Sequence, residues 1–173
     1  ESPHYDTMIK LQENHLLGNL VQIEQKRLYS SAMIETLAAR VKFSVGLHSE
    51  GLRIYKAALI IYPQHRALIY DYAAALLYDG SQKEALKFIN HQLRFTPNDI
   101  SLYQLQAQAY QADGNTMLLH RALAESYILQ GDLPRAINQL ELALSSEDGD
   151  FYEISSAESR LKEIRRRLSF SEE

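Results

Sequence analysis

The chain has 173 residues, 46% of them hydrophobic, with a formal net charge of −4 and no cysteine or tryptophan. That length suits one packed domain or one repeat array, and the negative balance does not favour non-specific binding to nucleic acid or anionic membrane. Without cysteine there is no disulfide, thiol nucleophile or zinc–thiolate site, and 7 Gly with 4 Pro are few for a turn-rich sandwich or barrel.

In chain order, residues 1–15 carry Pro3 among polar neighbours and read as a connector with one helical turn near Met8. The start, Glu1-Ser2-Pro3 without Met, is that expected of an excised or processed fragment. Leu17, Leu20, Val21 and Ile23 recur at helical spacing, so a first helix is expected over 16–29. Ser30-Ser31 caps the next, which carries Met33, Ile34, Leu37, Ala38, Val41 and Val45 and ends at Gly46. A helix over 49–62 sets Ile54, Ala57, Ala58 and Ile61 on one face, and Pro63 stops it. Another spans 66–78, with Asp79-Gly80 as its turn. Ser81 and Glu84 have capping-box spacing and open a helix to Phe95. After Pro97, Asn98 or Asp99 caps a helix to Ala112, and Asp113-Gly114-Asn115 turns the chain. Residues 117–144 read as helix, tight turn at Gly131, helix. A last helix is expected over 151–168, with 169–173 frayed. No stretch alternates with period two, so the reading is eight or nine antiparallel helices and no strand. The division expected is a connector with the first helix over 1–30, a repeat domain over 31–168 and the frayed tail.

Pro63 and Pro97 lie 34 residues apart, the length of one tetratricopeptide repeat. In that register Ala73 and Leu76 take the small and aromatic positions of a first helix, and Ala85 and Ile89 the small and large positions of a second. The preceding unit matches at Ala39, Tyr55 and Ala58. It departs at Lys42, where an aromatic residue is usual, and at Gly51, where Ala is usual. After Pro97, Tyr103, Ala107, Tyr110 and Gly114 fit, but Leu119 stands where Ala is expected. Leu123, Ala124, Tyr127, Ala136, Leu140 and Ala143 instead make a fresh unit half a repeat early. The fold class expected is an all-α, tetratricopeptide-like helical-repeat solenoid, in which each hairpin buries its apolar face against its neighbours.

Nothing in the chain spells catalytic chemistry. No two of its 6 histidines lie four apart, as the one-face pair of a zinc protease requires. There is no calcium-loop order, no Gly-rich phosphate loop and no Gly-x-Ser-x-Gly elbow. No catalytic, metal or cofactor-binding residue is assigned, and the chain is not expected to be an enzyme by itself. His120 reads as a surface or packing residue. Tyr55, Tyr103, Tyr110 and Tyr127 fall at packing positions. Arg40, Tyr70, Tyr78, Gln104, Gln108, Gln111, Arg121 and Glu125 fall in the register that lines a groove and are the partner-binding candidates; aromatic and arginine side chains commonly anchor interfaces. The acidic stretch holding Glu141, Glu147, Asp148, Asp150, Glu153 and Glu158 reads as a solvated loop. The basic run Arg160, Lys162, Arg165, Arg166 and Arg167 reads as a helix end whose dipole favours cations.

The last third carries a more specific signal. His120-Arg121-Ala122, Ala124-Glu125, Tyr127, Gln130-Gly131-Asp132, Ala136-Ile137, Gln139-Leu140, Ala143-Leu144, Asp150-Phe151-Tyr152 and Ser159-Arg160-Leu161 resemble the C-terminal tetratricopeptide domain of periplasmic zinc metalloproteases of the β-barrel assembly-enhancing kind. Leu11-Gln12-Glu13-Asn14 and Gln25-Lys26-Arg27-Leu28-Tyr29 resemble the connector after the protease domain of that family. The family's His-Glu-x-x-His helix does not occur here, so no catalytic residue carries over. The resemblance implies a parent protease whose zinc lies in a domain outside this chain. It also implies a periplasmic location in a Gram-negative bacterium, and a module that recruits outer-membrane barrel-assembly components or substrates. Contact with its own protease domain is a further implication; no nucleic acid and no membrane span are expected. Two other readings stay open: a tetratricopeptide scaffold of an unrelated assembly, and a regulatory lid over the protease domain.

Overall fold

Short helices punctuated by Gly, Pro and side-chain caps build the protein. The computed structural model describes residue 18 and residues 31–171. Among the described residues there are eight helices and no strand: α1 (Ala32–Ser44), α2 (His48–Ile61), α3 (Arg66–Tyr78), α4 (Gln82–Phe95), α5 (Ile100–Asp113), α6 (Thr116–Gln130), α7 (Leu133–Ser145) and α8 (Phe151–Ser171). The helix expected over 16–29 and the connector before it lie outside the described residues, apart from Gly18, which is helical. The chain divides into two compact units, Glu1–Ala75 and Leu76–Glu173, with the division inside α3.

In the first unit Ser31 caps α1 as expected, its hydroxyl accepting from the Ile34 amide at 3.3 Å. Helices α1 and α2 form a hairpin turned at Gly46. Ala38, Ala39, Tyr55, Ala58, Leu68, Ile69, Tyr72 and Ala73 are buried, and the Tyr55 and Tyr72 rings meet at 6.2 Å between centroids. The two departures from the repeat pattern explain each other. Lys42 does not fill the aromatic position; it turns to Glu50, 2.8 Å away. Its neighbour Phe43 supplies the ring, stacked on His48 at 5.0 Å and tilted against Tyr55 at 6.3 Å. That ring occupies the space above Gly51: a Cβ there would lie 2.5 Å from a Phe43 ring carbon. Gly replaces Ala because the ring has moved one position along α1.

The second unit is capped almost throughout by Asp and Asn. Asp99 accepts from the Leu102 amide at 3.2 Å, Asn115 from Leu118 at 2.8 Å and Asp132 from Arg135 at 3.1 Å. Gly114 and Gly131 end α5 and α6 with φ of 79° and 80°, a left-handed conformation that costs residues with a Cβ about 1–2 kcal/mol. The core of α6, α7 and α8 is shared: Ala124 and Ile128, Ala136 and Leu140, Leu161 and Ile164 form one cluster, and Met117, Ala143 and Ala157 a second. The small and large positions read from the sequence, Ala73, Leu76, Ala85, Ile89, Ala107, Ala124, Ala136, Leu140 and Ala143, are all buried.

Two local expectations are corrected. Ser81 precedes α4 but makes no side-chain cap; its hydroxyl turns to Asp79 at 3.5 Å. A reciprocal capping box forms at α8 instead. There Asp150 accepts from the Glu153 amide at 2.8 Å, and Glu153 accepts from the Asp150 amide at 2.9 Å. Helix α8 continues through Ser171, past the point where fraying was expected, because no Gly or Pro follows Leu168 to stop it.

The acidic loop between α7 and α8 is more than a solvated connection. The Asp148 carboxylate reaches back to the start of α6 and accepts from the amides of Thr116 and, at 3.0 Å, Met117. With Asn115 on Leu118, three of the four free N–H groups of that helix end are satisfied by side chains. Desolvation alone would raise the Asp148 pKa; the hydrogen bonds from Thr116 and Met117, with help from Ser146, outweigh it and hold the carboxyl below its ordinary value. A depressed folded value means that this contribution to stability is complete above the ordinary carboxylate range and is lost as pH falls through the folded value. Asp148→Asn, a near-isosteric mimic of the protonated acid, is therefore expected to lower the urea midpoint at neutral pH. At about pH 2 it should leave the midpoint unchanged. A difference of equal size in acid would count against the ionised cap.

Candidate partner-binding clefts

The candidates of the first unit are engaged with their neighbours. Arg40 forks onto Asp71, Nε to Oδ2 and Nη2 to Oδ1, both at 3.0 Å. The hydrogen bond and charge of Asp71 raise the Arg40 pKa. Beside this pair, burial first and then the Asp71 charge push the Tyr55 hydroxyl up to about 12, so it stays protonated as a buried packing residue. Arg40 also borders an apolar hollow of about 220 Å³ lined by Met33, Thr36, Leu37, His65 and Ala67. The Tyr70 hydroxyl accepts from Nε of Arg66 at 2.8 Å.

In the second unit Tyr78 stands at the end of α3, 74% exposed. The other five candidates do not share one groove. Gln104, Gln108 and Gln111 of α5 open, with Ala107 at the base and Leu119 and Leu123 of α6 opposite, onto a cleft of about 340 Å³. Arg121 and Glu125 line a different cleft, of about 290 Å³, with Leu140, Ser156, Ser159, Arg160 and Glu163. The reason is angular. Leu119 and Leu123 precede Arg121 and Glu125 by two residues each, which is about 200° around a helix. One helix thus serves two clefts on nearly opposite faces.

The two clefts differ in chemistry. The first contains no charged side chain, and the amides of its three glutamines make no side-chain hydrogen bond to a described residue. The second is internally paired. Arg160 forks onto Glu125 at 2.8 and 2.6 Å, reaches Glu163 at 2.7 Å, and has its pKa raised first by the Glu125 hydrogen bond. Arg121 donates to Ser156 at 3.3 Å. Tyr103 and Tyr110 are half-buried; burial is the main cause of their raised pKa values, with Glu125 reinforcing the first and an Asn90 hydrogen bond opposing the second.

Sequence reasoning missed Ser156, Ser159, Arg160 and Glu163, which a separation of 35 residues hides from any local pattern. It read Leu119 only as a failed Ala, although Leu119 and Leu123 are spaced four apart as one apolar stripe. The basic run divides: Arg160 belongs to the charged cleft, and Arg165 pairs with Glu141 of α7. Nδ1 of His120 lies 2.8 Å from Oε1 of Gln139, which makes it a link between α6 and α7. Among the described residues no three His, Asp or Glu side chains gather as a metal site, and no helix is long and apolar enough to cross a membrane.

No protein-family model matches the chain, and no curated protein matches it. Solved structures do. The MamA RS-1 ArsTM double mutant superposes over 94% of this chain and 91% of its own, with a TM-score of 0.61 and 14% identity. MamA 41-end from Desulfovibrio magneticus RS-1 superposes over 89% and 96%, with a TM-score of 0.53 and 16% identity. At such identities the likeness is one of fold. The chain has an all-α, tetratricopeptide-like helical-repeat fold.

Proposed function

We propose that the chain is a protein–protein interaction module that holds a polypeptide partner against its helix faces. The observation that carries this is the uncharged cleft of α5 and α6, where exposed amides that bond no described residue stand beside half-buried leucines. Arg40, Tyr70, Tyr78, Arg121 and Glu125 are candidates for secondary contacts. Glu125 is already paired with Arg160 and Arg121 donates to Ser156, so they offer a partner less than the glutamines do.

The finer reading rests on the residues between His120 and Leu161 that resemble the metalloprotease C-terminal domain; the solved-structure neighbours add nothing to it. On that reading the module works in the periplasm and recruits outer-membrane barrel-assembly components or their substrates. The zinc protease site would lie in a domain outside this chain. Its mechanism is placement: a partner held here is present at the protease at high effective concentration. Immobilised chain is expected to retain purified barrel-assembly subunits above an unrelated helical-repeat control. Equal retention by both would remove the recruiting role.

A further inference from the structure

We propose that the outward face of α8 pairs antiparallel with the same face of a second copy of the chain, forming a twofold dimer. The proposal goes beyond the interaction-module reading and does not use the α5–α6 cleft.

Helix α8 turns Ala157, Leu161 and Ile164 inward, and all three are buried. On its other side Tyr152, Ser156, Ser159, Glu163, Arg166 and Phe170 follow one another at alternating steps of four and three. That is the spacing of a coiled-coil seam, which keeps to one side of a helix. Five of these residues are exposed and Glu163 is half-buried. Both ends of the seam are aromatic, with Tyr152 81% and Phe170 69% exposed. Covering those rings removes apolar surface from water, which is favourable.

The order of the residues names the occupant. The seam can be laid end for end on a copy, about a twofold axis midway between Ser159 and Glu163. Tyr152 then meets the copy's Phe170, Ser156 its Arg166 and Ser159 its Glu163, and each match occurs twice, as an isologous interface requires. Aromatic meets aromatic, and each charge meets a hydroxyl. The guanidinium donates to Ser156 Oγ, which already accepts from Arg121 at 3.3 Å and has a second lone pair. The Ser159 hydroxyl donates to the carboxylate. Parallel pairing instead sets every residue against its own copy, Glu163 on Glu163 and Arg166 on Arg166, and like charges there oppose it.

The edges of the seam are compatible with this arrangement. On one edge Glu153 lies toward the copy's Arg167, and Arg160, nearer the axis, is already neutralised by Glu125 and Glu163. On the other edge Lys162 nears its own copy, with Glu158 one turn away to offset it. The seam is short and its middle is polar, so the dimer is weak, with a dissociation constant on the order of 100 µM. Ser156, Ser159 and Glu163 also line the charged cleft, so pairing covers that cleft.

Sedimentation equilibrium of the full chain tests the pairing. The mass is expected to rise from the monomer value of 19.8 kDa toward twice that value between about 10 and about 500 µM. Tyr152→Ala with Phe170→Ala should weaken association at least about tenfold. Both rings are exposed, so their loss leaves the packing of α8 intact. Register is read by cross-linking, because the chain contains no cysteine of its own. Ser156→Cys mixed with Arg166→Cys is expected to form a disulfide between the two variants under mild oxidation. Neither variant alone should do so, since like positions lie ten residues apart along the pair, about 15 Å. A monomer mass throughout overturns the dimer and leaves the face to a different partner. Undiminished association of the alanine variant overturns it by moving the interface off this seam. Cross-linking of either cysteine variant alone as fast as the mixture overturns the antiparallel register.

Discussion

Truncating Leu140 to Ala is expected to destabilise the chain by about 2–5 kcal/mol. Leu140 is 2% exposed and belongs to the cluster that joins α6, α7 and α8. Of its neighbours there, Ala124 and Ala136 are too small to reach into the void, and Ile128, Leu161 and Ile164 are held on regular helices, so the void closes only in part. The cost therefore falls toward the upper part of that range. Repeat stability is approximately a sum over neighbours, so the loss should be local. Amide exchange is expected to quicken in α6, α7 and α8 while α1 and α2 keep their protection, alongside a lower urea midpoint. Uniform loss of protection from Ala32 onward would mean that the described helices unfold as a single unit.

The second large effect is at Gly149. A methyl group there would sit on Sδ of Met117, which is fully buried. Gly149 lies in a loop, so Gly149→Ala gains no helix propensity to set against the clash. Overpacking of this kind costs about 1–3 kcal/mol, toward the lower end where the flexible Met117 thioether can turn aside, and the loop beside it also holds Asp148 on the start of α6. A lower unfolding temperature is expected, by about 2–4 °C for each kcal/mol in a chain of this size. The change should be nearly silent in a Met117→Ala background, where the sulfur is gone. An undiminished loss in that background would place its cause in the loop backbone rather than in the contact.

What the sequence made legible was what is local. The Gly and Pro positions, Ser31, Asp99 and the Asn after Gly114 write the ends of the helices, and α3 was bounded at both ends correctly. The small–large pattern found the buried positions because it follows the helical period. Contacts between residues about thirty positions apart were not legible: Arg40 with Asp71, Asp148 with the α6 amides, Glu125 with Arg160. No spacing rule links such pairs, since the turns between helices set which faces meet. The single groove divided into two clefts for a related reason. A repeat register says that a residue lies on the inner part of a helix, but a half-turn of that helix separates Leu123 from Glu125. The capping boxes show the limit of motif spacing. Ser81–Glu84 has the spacing of a box, yet the Ser81 hydroxyl turns to Asp79, while the box that forms, Asp150–Glu153, was read only as part of a solvated acidic stretch.

The reach of Asp148 also bears on the order in which the chain can fold as it is made. Helix α6 is complete at Gln130 and its hairpin partner at Ser145, yet the carboxylate that satisfies the first two amides of α6 arrives three residues later. A nascent hairpin of α6 and α7 therefore holds its leading end open to water until the connection to α8 has been synthesised. The closing of that end and the docking of Ala157 beside Met117 then fall together. Helices α6, α7 and α8 are thus expected to mature as one event, once the connection to α8 has been made, rather than as a finished hairpin to which another helix is added.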